Sequence, residues 1–171
     1  MVLKSGFLSL VTLLSVLGQL PDCQAQQPPG YDRGVPELAV IDRFSGTWEA
    51  QVVNSDETIR ATRKWILNGR FQQHEFELAS GNLRGLIYRG YDQERKRYTM
   101  TLMESQGSVS MLVGDWNAEL RTLSFRAIDS SCFIQTYESH FPDDNTEQWT
   151  LTTGGENPVE VSGIVKRISN P

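Results

Sequence analysis

From Thr47 to Ile168 the chain repeats one pattern: short stretches rich in Val, Ile, Thr, Tyr, Phe and Trp, broken by turn chemistry. The breaks come about every eight to twelve positions, the rhythm of an antiparallel β-meander. The stretches predict nine or ten strands, at 47–54, 58–67, 70–78, 84–92, 97–105, 108–114, 120–127, 132–139, 146–153 and 159–168. Asn68-Gly69, Ser80-Gly81-Asn82, Gln106-Gly107, Pro142-Asp143-Asp144-Asn145 and Gly154-Gly155 supply the turns, each suited to positive φ or a fixed bend. A sheet of that many strands must hide its two edges. Only one segment, Pro36 to Phe44, reads as a helix that could cover anything, with Leu38, Ile41 and Phe44 at spacing three. Closure into an up-and-down barrel is therefore the expected fold: all-β, antiparallel and lipocalin-like, its short N-terminal helix plugging one end. A two-sheet sandwich is the alternative, disfavoured because no interruption is long enough for a Greek-key crossover.

Asn68-Gly69 is the strongest local signal, since a two-residue type I′ loop sets the register of both flanking strands. Ile66 then faces Phe71, Trp65 faces Gln72, Arg63 faces His74, Ala61 faces Phe76 and Ile59 faces Leu78. One face of this hairpin carries Arg60, Thr62, Lys64, Gln73, Glu75 and Glu77 and is the solvent side. The other is apolar except at its middle, where Arg63, Gln72 and His74 stand. A dry core would have to pair Arg63 at high cost, whereas a barrel with a ligand-filled or wet interior could use it. Arg63 could also snorkel out of one mouth and bond Gln72 or Glu104. The run Tyr98, Met100, Leu102, Glu104 gives a second inward face ending in a carboxylate, a candidate ionic partner for Arg63. Trp116, in Gly114-Asp115-Trp116-Asn117, falls in an expected loop.

Ahead of the domain, Lys4 precedes an uncharged run from Gly6 to Leu20, too short for a stable span and shaped like the core of a signal peptide. Residues 1–25 are read as that peptide, with cleavage after Ala25; 26–35, rich in Gln, Pro and Gly, as a flexible tether; and 36–171 as a single domain. The expected address is periplasmic or secreted. Lipid anchoring at Cys23 is less favoured, because Pro21 and Asp22 are not the small residues a lipoprotein site needs. Of 16 basic and 21 acidic residues, cleavage removes only Lys4 and Asp22, so the net charge stays at −5 and argues against a nucleic-acid partner. Cys132 alone then remains, and no intramolecular disulfide can form.

Phe44-Ser45-Gly46-Thr47-Trp48, Ile66-Leu67-Asn68-Gly69-Arg70-Phe71, Gly90-Tyr91-Asp92, Tyr98 and Met103-Glu104-Ser105 occur in an order that resembles the bacterial domain of unknown function 1579 family. The resemblance spans nearly all of 38–167. It implies a calycin-type barrel of about ten strands with a cavity, and no activity. It also implies that Gly46, Trp48 and Arg167 close one barrel end, the arginine lying against the indole; Glu104 stands where typical members look to have aspartate. Independently, Val159, Val161, Gly163 and Val165 alternate inward and Arg167 continues their face to the rim.

Motifs for nucleophilic, phosphate or zinc chemistry are missing, so no cofactor and no metal are expected. The leading functional expectation is a non-enzymatic barrel that holds a small amphipathic ligand against Arg63, Trp65, Gln72, His74, Tyr98 and Glu104. Two others stand beside it. One is a solid-cored envelope or interaction module with Arg63 in solvent. The other is an enzyme using His74 and Glu104 as an in-barrel acid and base pair. Oligomeric state is not written in the sequence.

Overall fold

The computed structural model describes residues 30–169. The signal peptide expected at 1–25 lies outside them, as do the first residues of the tether. Ten antiparallel strands follow one short helix: α1 (Leu38–Asp42), β1 (Gly46–Val52), β2 (Thr58–Ile66), β3 (Phe71–Leu78), β4 (Arg84–Asp92), β5 (Arg97–Glu104), β6 (Val109–Asn117), β7 (Thr122–Ala127), β8 (Ile134–Asp143), β9 (Thr146–Thr153) and β10 (Glu160–Ser169). Each strand pairs with its sequence neighbour, and β1 pairs with β10, so the sheet is a closed barrel without a free edge. The meander thus closes on itself, and the sandwich alternative falls.

Period-two alternation sorts the residues. Along β2 the burial of Ala61, Arg63 and Trp65 alternates with the exposure of Arg60, Thr62 and Lys64, and the β2–β3 register pairs Arg63 with His74 and Trp65 with Gln72. The turn itself is wider than a two-residue loop. Leu67, Asn68 and Gly69 all take positive φ, the amide of Gly69 donates to Ile66 O and that of Arg70 to Leu67 O. The reason for glycine at 69 is on the far side of the turn, since a Cβ there would stand 2.4 Å from Gly30 O. Residues 30–35, the described part of the expected tether, lie against the barrel at this point. The Asp32 amide donates to Gly69 O at 3.0 Å, the Asp32 carboxylate pairs with Arg70 at 3.0 Å, and Tyr31 packs on Trp65.

Helix α1 plugs the adjoining barrel end. Leu38, Ile41 and Phe44 are fully buried, each removal from water contributing roughly 1.5–3 kcal/mol. Below them the Trp48 indole donates to Phe44 O and Ser45 O, and Arg167 lies 4.4 Å over its ring while donating to Arg43 O and Asp144 O. Trp48 and Arg167 are opposed in the β1–β10 register. The end is sealed by Phe141 at 4.8 Å from Phe44 and by Trp116, which belongs to β6 and not to a loop, packing on Phe141 and under Arg43. Strand β6 runs on past Gly114 because Asp115, Trp116 and Asn117 keep pairing with Ser124, Leu123 and Thr122.

Candidate functional site

At the other end the barrel is open. A cavity of about 590 Å³ enters from Ser55, Leu83, Phe133 and Asn157 and descends between apolar walls that include Ala50, Ile59, Ala61, Ile87, Leu102 and Val165. Its floor is Arg63, His74, Tyr137 and Trp149. Trp149 lies flat across β10 because its partner in register is Gly163, where a Cβ would come within 2.7 Å of the ring. The indole stacks on Tyr137 with an interplanar angle of 4°.

The floor is the top of a buried polar cluster. Arg63, 3 % exposed, sets Nη1 at 2.7 Å from Oε2 of Glu147, which is fully buried on β9. Attraction at that distance is strong, but the approach is too poorly directed to be a hydrogen bond, and neither atom has another partner. Ser139 donates to the other Glu147 oxygen at 2.7 Å. A second arginine, Arg89 on β4, is completely buried behind the floor and donates from Nη1 to His74 Nδ1 at 3.1 Å. The two guanidiniums lie over the Phe44 ring at 5.4 and 4.4 Å, and Arg63 and Arg167 lie over the Trp48 ring at 5.0 and 4.4 Å.

Electrostatics in this cluster follow from burial. Desolvation, then the charges of Arg63 and Arg89, hold the His74 imidazole well below its usual pKa, so it is neutral. An arginine has only donors, so Nδ1 must be the accepting nitrogen and the proton sits on Nε2. Burial alone would raise the Glu147 carboxyl, but Arg63, Arg89 and the Ser139 hydroxyl outweigh it and hold it below its usual value. Burial and the nearby Glu147 carboxylate likewise keep the Tyr137 phenol protonated. Two guanidiniums therefore share one carboxylate, leaving one positive charge. Among the described residues no protein acceptor meets Arg63 Nε, Arg89 Nε and Nη2, or His74 Nε2.

Of the six residues read as ligand contacts, the cavity brings together Arg63, His74 and Glu104. Arg63 does not snorkel, and its ionic partner is Glu147 in place of Glu104, which sits at the rim and accepts from Ser108. Trp65, Gln72 and Tyr98 do not line the cavity. They lie nearer the plugged end and hold the helix region: Trp65 Nε1 donates to Asp42 at 2.7 Å, Gln72 Nε2 to Ile41 O and Ser45 Oγ, and Tyr98 Oη to Glu37 O. The register explains the division, since each step of two residues along β3 moves one level from mouth to plug, from Leu78 through Phe76 and His74 to Gln72. His74 and Glu104 share the cavity without touching: the imidazole Nδ1 is taken by Arg89, and Glu104 stands level with Gly85, two residues nearer the mouth than Ile87, which faces His74. A buried Arg63 at the floor of an open cavity also removes the solid-cored barrel.

Arg89 and Glu147 escaped the sequence reading, although alternation carries both. Arg89 shares a face with Ile87 and Tyr91, and Glu147 with Trp149 and Leu151. Among the described residues no group of three His, Cys, Asp or Glu could hold a metal ion, and no helix is long and apolar enough to cross a membrane.

No curated protein matches the chain. A family model described as "Protein of unknown function (DUF1579)" matches residues 36–146, a span that runs from the plug through eight strands and holds Arg63, His74, Arg89 and Glu104. Helix α1, the β2–β3 hairpin and three of the four floor residues, Arg63, His74 and Tyr137, fall within that match, and the chain belongs to the DUF1579 family.

Proposed function

We propose that this protein is an exported, non-enzymatic carrier that holds a small amphipathic molecule in its calycin-type barrel, apolar part along the walls and polar end on the floor. The observation that carries this reading is the cavity itself. About 590 Å³ lies within the range of small-molecule sites, its walls are apolar and its polar groups stand at the rim and at the bottom, where Arg63, His74 and Tyr137 meet. Beneath the cavity Arg63 and Arg89 share the single Glu147 carboxylate, a charge arrangement costly to keep in a merely structural core. Export rests on the uncharged run from Gly6 to Leu20 and on the small residue at the expected cleavage point, Ala25.

The neutral amphiphile N-phenyl-1-naphthylamine tests the carrier reading, because its emission rises when it leaves water. The wild-type protein is expected to give a saturable rise at one probe per chain. Ala61→Trp, which fills the cavity from a wall position, is expected to abolish it while circular dichroism shows the barrel retained. An equal signal from both proteins, or none from the wild type, overturns the reading.

A further inference from the structure

Two of the rings that line the well are laid flat against its wall. We propose that the apolar body of the ligand is a planar fused-ring system, stacked on Trp149, with Phe76 as a second flat contact on another wall. The inference rests on the carrier reading above and adds the chemical class of the ligand's body; it makes no use of the polar end.

The rings lie down because of what stands opposite them. Trp149 on β9 is paired with Gly163 on β10, and Phe76 on β3 with Gly85 on β4. A side chain on a strand ordinarily stands away from the sheet. Here a Cβ at Gly163 would meet Cε2, Cζ2 and Nε1 of the indole at 2.7–2.8 Å, and a Cβ at Gly85 would overlap the Phe76 ring. Each aromatic therefore sets one face on the neighbouring backbone and leaves the other towards the interior. Both line the cavity. Upright, the two rings would stand in the well; laid down, they leave it open and give it flat surface.

Two more rings of the barrel lie over a glycine on the next strand, Phe125 over Gly114 and Phe71 over Gly90. Phe125 is buried away from the cavity, and Phe71 is on the outer surface, 39 % exposed. Covering a glycine is thus a packing device used throughout this barrel, and at Trp149 and Phe76 alone it also shapes the well.

At Trp149 the plane is set a second time. The Tyr137 ring on β8 is parallel to the indole within 4°, at 6.4 Å between centroids, and lines the cavity beside it. Phe76 belongs to another side of the barrel: between the β9–β10 and β3–β4 pairs stand β1 and β2 one way round and β5 to β8 the other. The wall that includes Ala50, Ile59, Ala61, Ile87 and Leu102 is aliphatic and offers a polar substituent on the body no partner. A flat π system gains roughly two- to tenfold in affinity per aromatic contact beyond the area it buries, whereas a puckered ring or a chain gains the area alone.

Isothermal titration of the purified protein at pH 7.5 with 2-naphthol and with decahydro-2-naphthol tests the assignment. The two share a carbon skeleton and a hydroxyl and differ in flatness. 2-Naphthol is expected to bind about tenfold more tightly. Trp149→Leu removes the platform, and Gly163→Ala pushes the indole off the wall without removing it. In both the preference is expected to fall to about twofold or less, with circular dichroism showing the barrel retained, and in Phe76→Leu to fall by less. Equal affinities in the wild type, no binding of either alcohol, or a preference unchanged in all three variants overturns the ring assignment and leaves the carrier reading standing. A wild-type protein that in addition gives no rise with N-phenyl-1-naphthylamine overturns both.

Discussion

Arg63 shows what burial does to one side chain. With Glu147 at 2.7 Å the arginine is tolerated, and the same carboxylate also serves the buried Arg89. Glu147→Gln, which leaves two buried guanidiniums without a carboxylate, should therefore lower unfolding stability by about 3–5 kcal/mol, and Arg63→Met, which leaves Glu147 balanced by Arg89, should cost less, as read from urea denaturation midpoints. The pH dependence belongs to His74 and Glu147. His74 is faced by Arg63 from β2 and Arg89 from β4, with Tyr137 and Glu147 beyond them on β8 and β9, and its pKa is held below the unfolded value by burial and the two arginines. In the unfolded chain the imidazole takes up its proton at a pH where the folded one does not. Stability is thus full above about pH 6.5 and falls as pH drops below it, with a limiting slope of about 1.4 kcal/mol per pH unit. Glu147, also depressed, adds a second loss of the same sign below about pH 4.3. Melting temperatures from pH 8 to about 2.5 should show both limbs, and His74→Phe should remove only the upper one.

At the scale of the element, most of the architecture was legible in the sequence because local rules and closure agreed. The Asn68-Gly69 pair set the pairing of Arg63 with His74 and of Ile59 with Leu78, as the barrel has it. What the pair did not disclose was the company that the turn keeps. Gly69 serves residues 30–32 as well as the hairpin, a contact between segments far apart in sequence that no local pattern encodes. Gly69→Ala should lower stability by about 1–2 kcal/mol for the positive φ and further for the clash with Gly30 O, and should speed hydrogen exchange at the Asp32 amide. Gly81→Ala is the comparison: it has a similar φ of +72° and open space around it, and should show the backbone cost alone. Trp116 was misjudged for a related reason. Asp115 and Asn117 read as loop residues, yet on β6 they face outward and pair across to β7, while the tryptophan between them turns to the plugged end.

Over the whole molecule the barrel has two unlike ends. One is sealed by α1, Phe141, Trp116 and the Arg167–Trp48–Arg63 cluster; the other opens to an apolar well. The sequence pointed to a polar centre within an apolar interior but not to its depth. Trp65, Gln72 and Tyr98 share the inward face with Arg63 and His74, and alternation assigns a face without assigning a level along the barrel axis. Only the stagger of ten paired strands separates residues that meet the cavity from residues that hold the plug. The same limit hid Arg89 and Glu147, whose meeting with Arg63 depends on strands that lie apart in sequence and close across the barrel interior.

The central claim is that the well is occupied when the protein works. Native mass spectrometry of the protein recovered from its own cells, set against the mass of the denatured chain, tests it most directly. The account predicts one extra non-covalent mass per chain, released on denaturation and missing from an Ala61→Trp variant recovered in the same way. Identical native and denatured masses for the wild-type chain would contradict it.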